Sequence, residues 1–350
     1  MIDPLALFIF ILAAWIAAFP FGANGKAAVL TLSGFAFVAI YAPVAAGWIA
    51  LMSLEGVLLV LLLKRFDRQS NWRKYGAYLL LLNFLFVDLH QFALGLIVET
   101  LAISFSTIRI FMTSKQQLAA RKGVEAKETV WIPVAGFYLP ALIVGPVFSG
   151  VDIQKQAKQG GAAEPVRLSD YRLVLQGLVL AILVNPACGQ LVAKLAGEEG
   201  MGLPLFAVAP ILFVQLFTAF WGQSLIAEHT SRFFGFRLPQ NFDEPWKAKD
   251  IKDFWARWHR SMAQFVMQYI FLPLNLRGVS PRLATVAAFV FMGLWHNLSL
   301  GYFLWGLSHG LLMAYWPKRE LDGARAGTAR AATWIIVITL SYIANYGALA

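Results

Sequence analysis

Asp253-Phe254-Trp255-Ala256-Arg257-Trp258-His259-Arg260, Tyr269-Ile270-Phe271-Leu272-Pro273-Leu274, Gly293-Leu294-Trp295-His296-Asn297 and Ser308-His309-Gly310 follow one another in the last third of a 350-residue chain. Three of the chain's five histidines, His259, His296 and His309, fall in this stretch. His296 stands inside the otherwise apolar run 283–300. An ionisable side chain within such a run is costly and marks a functional site, unless it only hydrogen-bonds a neighbouring helix. Whether the run lies in a bilayer or in a soluble core decides the fold, and the rest of the chain answers that.

Hydrophobic residues make up 59% of the chain and charged residues only 14%, with a mean hydropathy of +0.64. A soluble domain carries about 25% charge. The apolar residues come in continuous blocks about as long as a bilayer-crossing helix, roughly 20 residues. Backbone groups in lipid must bond within their own segment, so these blocks are expected to be helices. Their lack of alternation excludes a β-barrel. The expected fold is all-α: a single polytopic membrane domain over residues 1–350, with about nine or ten spans plus re-entrant or interfacial helices.

The net charge of +10 would suggest nucleic acid in a soluble protein. Here the bases cluster in short loops, as membrane orientation requires, and no nucleic-acid partner is expected. Residues 64–74, 113–128 and 318–330 are basic and are assigned to the cytoplasm. Glu198 and Glu199, without a base beside them, are assigned outside. The start Met1-Ile2-Asp3-Pro4 lacks the basic residues of a cleavable signal, so span 5–21 is expected to be retained. The single cysteine, Cys188, rules out an intrachain disulfide and reads as a buried structural thiol.

Further spans are expected at 27–41, 44–63, 75–87, 92–112, 172–195, 203–222, 283–300, 302–316 and 331–349. Asp88 and His90 mark a polar point, and His229 is expected at a helix end. The run 130–150 contains Pro133, Pro140 and Pro146; because proline removes a donor and kinks a helix, a broken or re-entrant segment is expected. Residues 151–171 read as a polar loop. At 100° per residue, 254–270 forms one amphipathic helix, capped by Asp250 or Asp253. His259 falls on its apolar half, facing protein or lipid.

An imidazole held in an apolar setting is expected to be neutral, and a neutral imidazole can take a proton from an attacking hydroxyl. The competing reading of His296 is an interhelical packing bond. No His-Glu-x-x-His or Walker pattern occurs, so neither a metal nor a bound cofactor is expected.

The ordered blocks resemble the membrane-bound O-acyltransferase (MBOAT) family. They comprise Phe233-Phe234-Gly235-Phe236-Arg237-Leu238-Pro239-Gln240-Asn241-Phe242, Asp253-Phe254-Trp255-x-Arg257-Trp258-His259, Tyr269-Ile270-Phe271-x-Pro273-Leu274 and Gly293-Leu294-Trp295-His296. Within the family they are most similar to bacterial alginate-type O-acetyltransferases and teichoic-acid D-alanyl transfer proteins. The strong match covers 233–310. Weaker blocks lie at Ile103-Ser104-Phe105-Ser106-Thr107 and Gly145-Pro146-Val147.

This resemblance implies a helical vessel with a tunnel, His296 as catalytic base and His259 as the second site residue. Trp255, Trp258, Trp295, Asn297 and Ser299 are the substrate-contacting candidates, with His259 or Asn297 bonding the developing oxyanion; His309, between Ser308 and Gly310, reads first as a structural interhelical bond and second as a further residue lining the site. The implied donor is a cytoplasmic thioester, acetyl-CoA or an acyl carrier protein. The implied acceptor is an envelope polysaccharide, reached through an outer relay partner from a multi-pass protein of the inner (cytoplasmic) membrane. Alternatives are D-alanyl transfer to a teichoic-acid-like polymer and, from Glu55, Asp88 and the histidines, a proton-coupled transporter or a scaffold. The chain departs from the family where Gly222-Gln223-Ser224-Leu225 replaces a Gly-Tyr-Ser-Asp block and where Asn297 replaces a common glycine.

Overall fold

The computed structural model describes residues 4–84, 97–120, 125–161, 165–196, 204–316 and 323–346. The regular structure among these residues is helical, and among them no strand occurs. The helices are α1 (Pro4–Ala18), α2 (Ala23–Tyr41), α3 (Pro43–Leu63), α4 (Asn71–Tyr75), α5 (Ile97–Ala119), α6 (Trp131–Gly136), α7 (Gly150–Lys158) and α8 (Leu168–Val179), then α9 (Asn185–Ala196) and α10 (Ala209–Phe233). After these come α11 (Ile251–Arg257), α12 (Arg260–Val266), α13 (Leu272–Asn275), α14 (Pro281–His296), α15 (Leu300–Tyr315) and α16 (Gly323–Tyr346). Five described segments are long and apolar enough to cross a bilayer: Ala23–Tyr41, Pro43–Leu63, Leu168–Ala196, Phe206–Phe233 and Gly327–Ala344. The protein is a multi-pass, all-helical membrane protein, as its hydropathy required.

The chain divides into two compact units. The first comprises residues 1–179 and 222–239. Here α3 packs with α5, and α2 and α3 pack with each other and with the short helix α6. The proline-bearing run is broken as expected, into α6, a single 3-10 turn at Leu139–Ala141 and an extended approach to α7. Arg109, on α5, pins that break. Its guanidinium donates to the carbonyls of Ala141 at 2.7 Å and Leu142 at 3.3 Å, which no helix ladder uses.

Three expectations in this unit need correction. Residues 151–171 are not loop throughout, because α7 holds 151–158 and the start of α8 holds 168–171. Ser149 accepts from the Asp152 amide while the Asp152 carboxylate reaches back to the Ser149 amide, a reciprocal cap that starts α7. α5 continues to Ala119, through residues expected to be loop. His229 lies inside α10 rather than at its end, its Nδ1 2.8 Å from Asp170. The Asp88–His90 point lies outside the described residues.

The second unit comprises residues 180–221 and 240–350. Its tightest pairing is α14 against α15. Small residues let the backbones approach: a Cβ at Gly293 would overlap the Tyr302 carbonyl, and one at Gly310 would lie 2.8 Å from the Val286 Cα. Cys188, on α9, is half-buried rather than buried.

Candidate active site

The amphipathic helix expected over 254–270 is two helices, α11 and α12, broken at Trp258-His259. Asp250 caps α11, accepting from the Asp253 amide. Trp258 is extended, and His259 adopts the left-handed conformation at φ 44° and ψ 52°. A helical-wheel pattern cannot register such a break, since the apolar positions continue on both sides of it. The backbone groups it frees are taken up locally. Asp243 N–H donates to the Arg257 carbonyl, Arg260 N–H donates to the Asn241 carbonyl, and the His259 carbonyl accepts from Met262 and Ala263. Ser261 adds a bond to the Asn241 side chain at 2.6 Å.

The break turns the His259 ring inward, where it is buried. The ring meets Phe220 edge-on at 4.6 Å and lies 6.2 Å from the Trp295 ring. Trp258 stacks on Phe254 at 5.4 Å.

α14 stops at His296. Asn297 leaves the helix with extended backbone, and Ser299 caps α15 by accepting from the Tyr302 amide at 3.4 Å. The expected span 283–300 is therefore a 16-residue helix and a three-residue turn. His296 is the last residue of α14 and is not closed over by neighbouring side chains. Its ring lies 5.6 Å from Tyr302 and 5.7 Å from Trp305.

His259, His296 and His309 line one cavity of about 110 Å3, with Trp255, Trp258, Tyr302 and Trp305 among its walls. Trp295 is buried behind it and touches both His259 and His296. Asn297 and Ser299 are not part of this lining; they terminate and start the two flanking helices. Tyr302 and Trp305 were not singled out in the sequence. With His309 they recur at spacings of three and four on α15, a one-face pattern that was readable beside a histidine. A larger cleft, about 520 Å3, opens in the first unit beside α2. Its two lysines are already paired, Lys127 with Glu125 and Lys158 with Glu128, and none of the candidate histidines lines it. Among the described residues no group of three His, Cys, Asp or Glu side chains is arranged to hold a metal ion.

Chemically, the cavity gathers three imidazoles within aromatic walls. Such a site can orient a small group and accept a proton.

The sequence model of MBOAT, the membrane-bound O-acyltransferase family, matches residues 136–315, more than half of the chain. Among curated proteins, a peptidoglycan O-acetyltransferase of Helicobacter pylori is 34% identical over 103 residues, 29% of this chain and 20% of the relative. A teichoic acid D-alanyltransferase of Streptococcus thermophilus is 29% identical over 152 residues, 40% of this chain and 36% of the relative. A probable alginate O-acetylase of Azotobacter vinelandii is 25% identical over 211 residues, 57% of this chain and 41% of the relative. The matches thus span well under half the length of these relatives.

Proposed function

Since this chain belongs to the membrane-bound O-acyltransferase family, we propose that it moves a short acyl group, acetyl in the first reading, from a cytoplasmic thioester to hydroxyls of an envelope polysaccharide. In this reading it works in the cytoplasmic membrane and hands the acyl group to an outer partner. One observation carries the reading: His259 and His296 line the same aromatic cavity, and both lie within the family match.

The chemistry follows from a donor that is already activated. As the acceptor oxygen bonds to the thioester carbon, its proton passes to His296 and the carbonyl electron pair moves onto oxygen. His259 donates to that oxyanion. Collapse breaks the carbon–sulfur bond, and the imidazolium returns its proton to the leaving thiolate. The cavity's contribution is position and charge stabilisation around one base. General-base catalysis is worth about 10²–10⁴-fold, so His296→Ala should lower acyl transfer by that factor while expression stays normal. Wild-type levels of envelope acylation in that variant would refute the assignment.

D-alanyl transfer from an aminoacyl carrier protein is the second reading. It is favoured by the Streptococcus thermophilus relative and by the basic face of residues 228–252, whose charge suits an acidic carrier. Mass spectrometry of the transferred group separates acetyl from alanyl.

A further inference from the structure

Two polar groups in the wall of this cavity have no hydrogen-bond partner among the described residues: the indole Nε1 of Trp255 and the imidazole Nε2 of His309. Trp255 is 7% exposed and His309 is fully buried. A buried polar group without a partner costs about 1–3 kcal/mol. Other buried polar atoms share that state, the Trp316 indole and the Gln223 carbonyl among them. Trp255 and His309 both line this cavity, with their rings 5.3 Å apart at 90°.

Their hydrogen-bonding roles are fixed and opposite. His309 Nδ1 lies 3.0 Å from the Trp305 carbonyl, and a carbonyl only accepts, so Nδ1 carries the proton. The neutral ring then presents a bare lone pair at Nε2. The Trp255 indole can only donate. The cavity therefore shows one acceptor and one donor. A carbonyl satisfies only the donor and an ammonium only the acceptor, whereas a hydroxyl, whether of an alcohol or of a water that the alcohol displaces, satisfies both. The surrounding indole faces suit the C–H side of such a group, and about 110 Å3 admits the carbon that bears it rather than a length of polymer.

We propose that Trp255 and His309 form the seat of the acceptor alcohol, whose O–H donates to His309 Nε2 while its oxygen accepts from Trp255 Nε1–H. This rests on the acyltransferase reading above and adds which residues read the acceptor. The alcohol has two possible sources, a sugar hydroxyl or the serine hydroxyl of a relay protein.

The test uses the full chain in lipid nanodiscs with acetyl-CoA and two soluble alcohols, methyl glucoside and N-acetylserinamide. The variants are H309F, which keeps ring size and loses the acceptor, H309Q, which restores one, and W255F, which removes the indole donor. Losing one such bond should raise the KM for the alcohol about tenfold in H309F and W255F. The KM for acetyl-CoA should not change, and H309Q should recover part of the loss. Whichever alcohol is acylated and shows this pattern identifies the source. An unchanged alcohol KM in both H309F and W255F overturns the proposal and leaves the pair as packing. So does a wild type that acylates neither alcohol while His296-dependent transfer to membrane polymer persists. Absence of all His296-dependent transfer counts instead against the acyltransferase reading itself.

Discussion

Arg109 in the first unit and the Trp255–His309 pair in the second are both shut off from the surface, yet their polar atoms are treated in opposite ways. Arg109 donates to the carbonyls of Phe105, Ala141 and Leu142 and to the Ser106 hydroxyl, and its guanidinium lies 5.4 Å from the Phe148 ring. Its donors answer acceptors that a proline-broken backbone leaves over. Trp255 and His309 each keep one ring nitrogen unanswered, and both residues line a cavity. In these two places satisfied polar burial serves the architecture, and unsatisfied polar burial accompanies the candidate site.

That contrast can be broken at either end. Its strongest test is Arg109→Leu. The bonds to Ala141 and Leu142 are charge-assisted, about 1.5–3 kcal/mol each, so the substitution should cost about 3–6 kcal/mol. The loss would appear as a lower melting temperature in detergent, with kcat per folded molecule unchanged. If activity fell with stability intact, Arg109 would belong to the chemistry and the contrast would fail.

Gly293→Ala comes next. Its Cβ would overlap the Tyr302 carbonyl, three residues before His296, and overpacking of this kind costs about 1–3 kcal/mol. Acyl transfer should fall further than the folded fraction does, because the backbone that carries His296 must shift. Equal falls in the two would mean that the α14–α15 approach does not govern the imidazole.

The smallest effect is expected at Ser299. Removing its cap in Ser299→Ala should cost about 0.5–2 kcal/mol, read by the same melting assay, with both KM values unchanged. A shifted KM would make Ser299 a substrate contact instead of a helix terminator.

Much of the fold was legible because hydropathy blocks and bilayer thickness leave helices as the only solution. The broken run after Val130 was legible for a local reason, since three prolines cannot sit in one helix. What pins it was not: nothing in Ser106-Thr107-Ile108-Arg109 says that the arginine turns onto carbonyls some thirty residues away. The start of α7 was written in Ser149-Gly150-Val151-Asp152, a capping spacing inside a stretch whose polarity suggested a loop. At the candidate site, the ordered family blocks gave His259 and His296. Periodicity misread the backbone between Trp255 and Met262, because an apolar face continues smoothly across a left-handed residue.

His259 holds φ 44° as the entry to α12, and this limits its replacements. Side chains branched at Cβ are strained there, while Gly, Asn and Asp are tolerated most readily. Of these, glycine brings no functional group and aspartate brings a charge into an enclosed, aromatic setting. Asparagine alone combines that turn of the chain with a neutral group able to donate a hydrogen bond. The mutational neighbourhood of this position is therefore narrowed by geometry before any selection on chemistry acts.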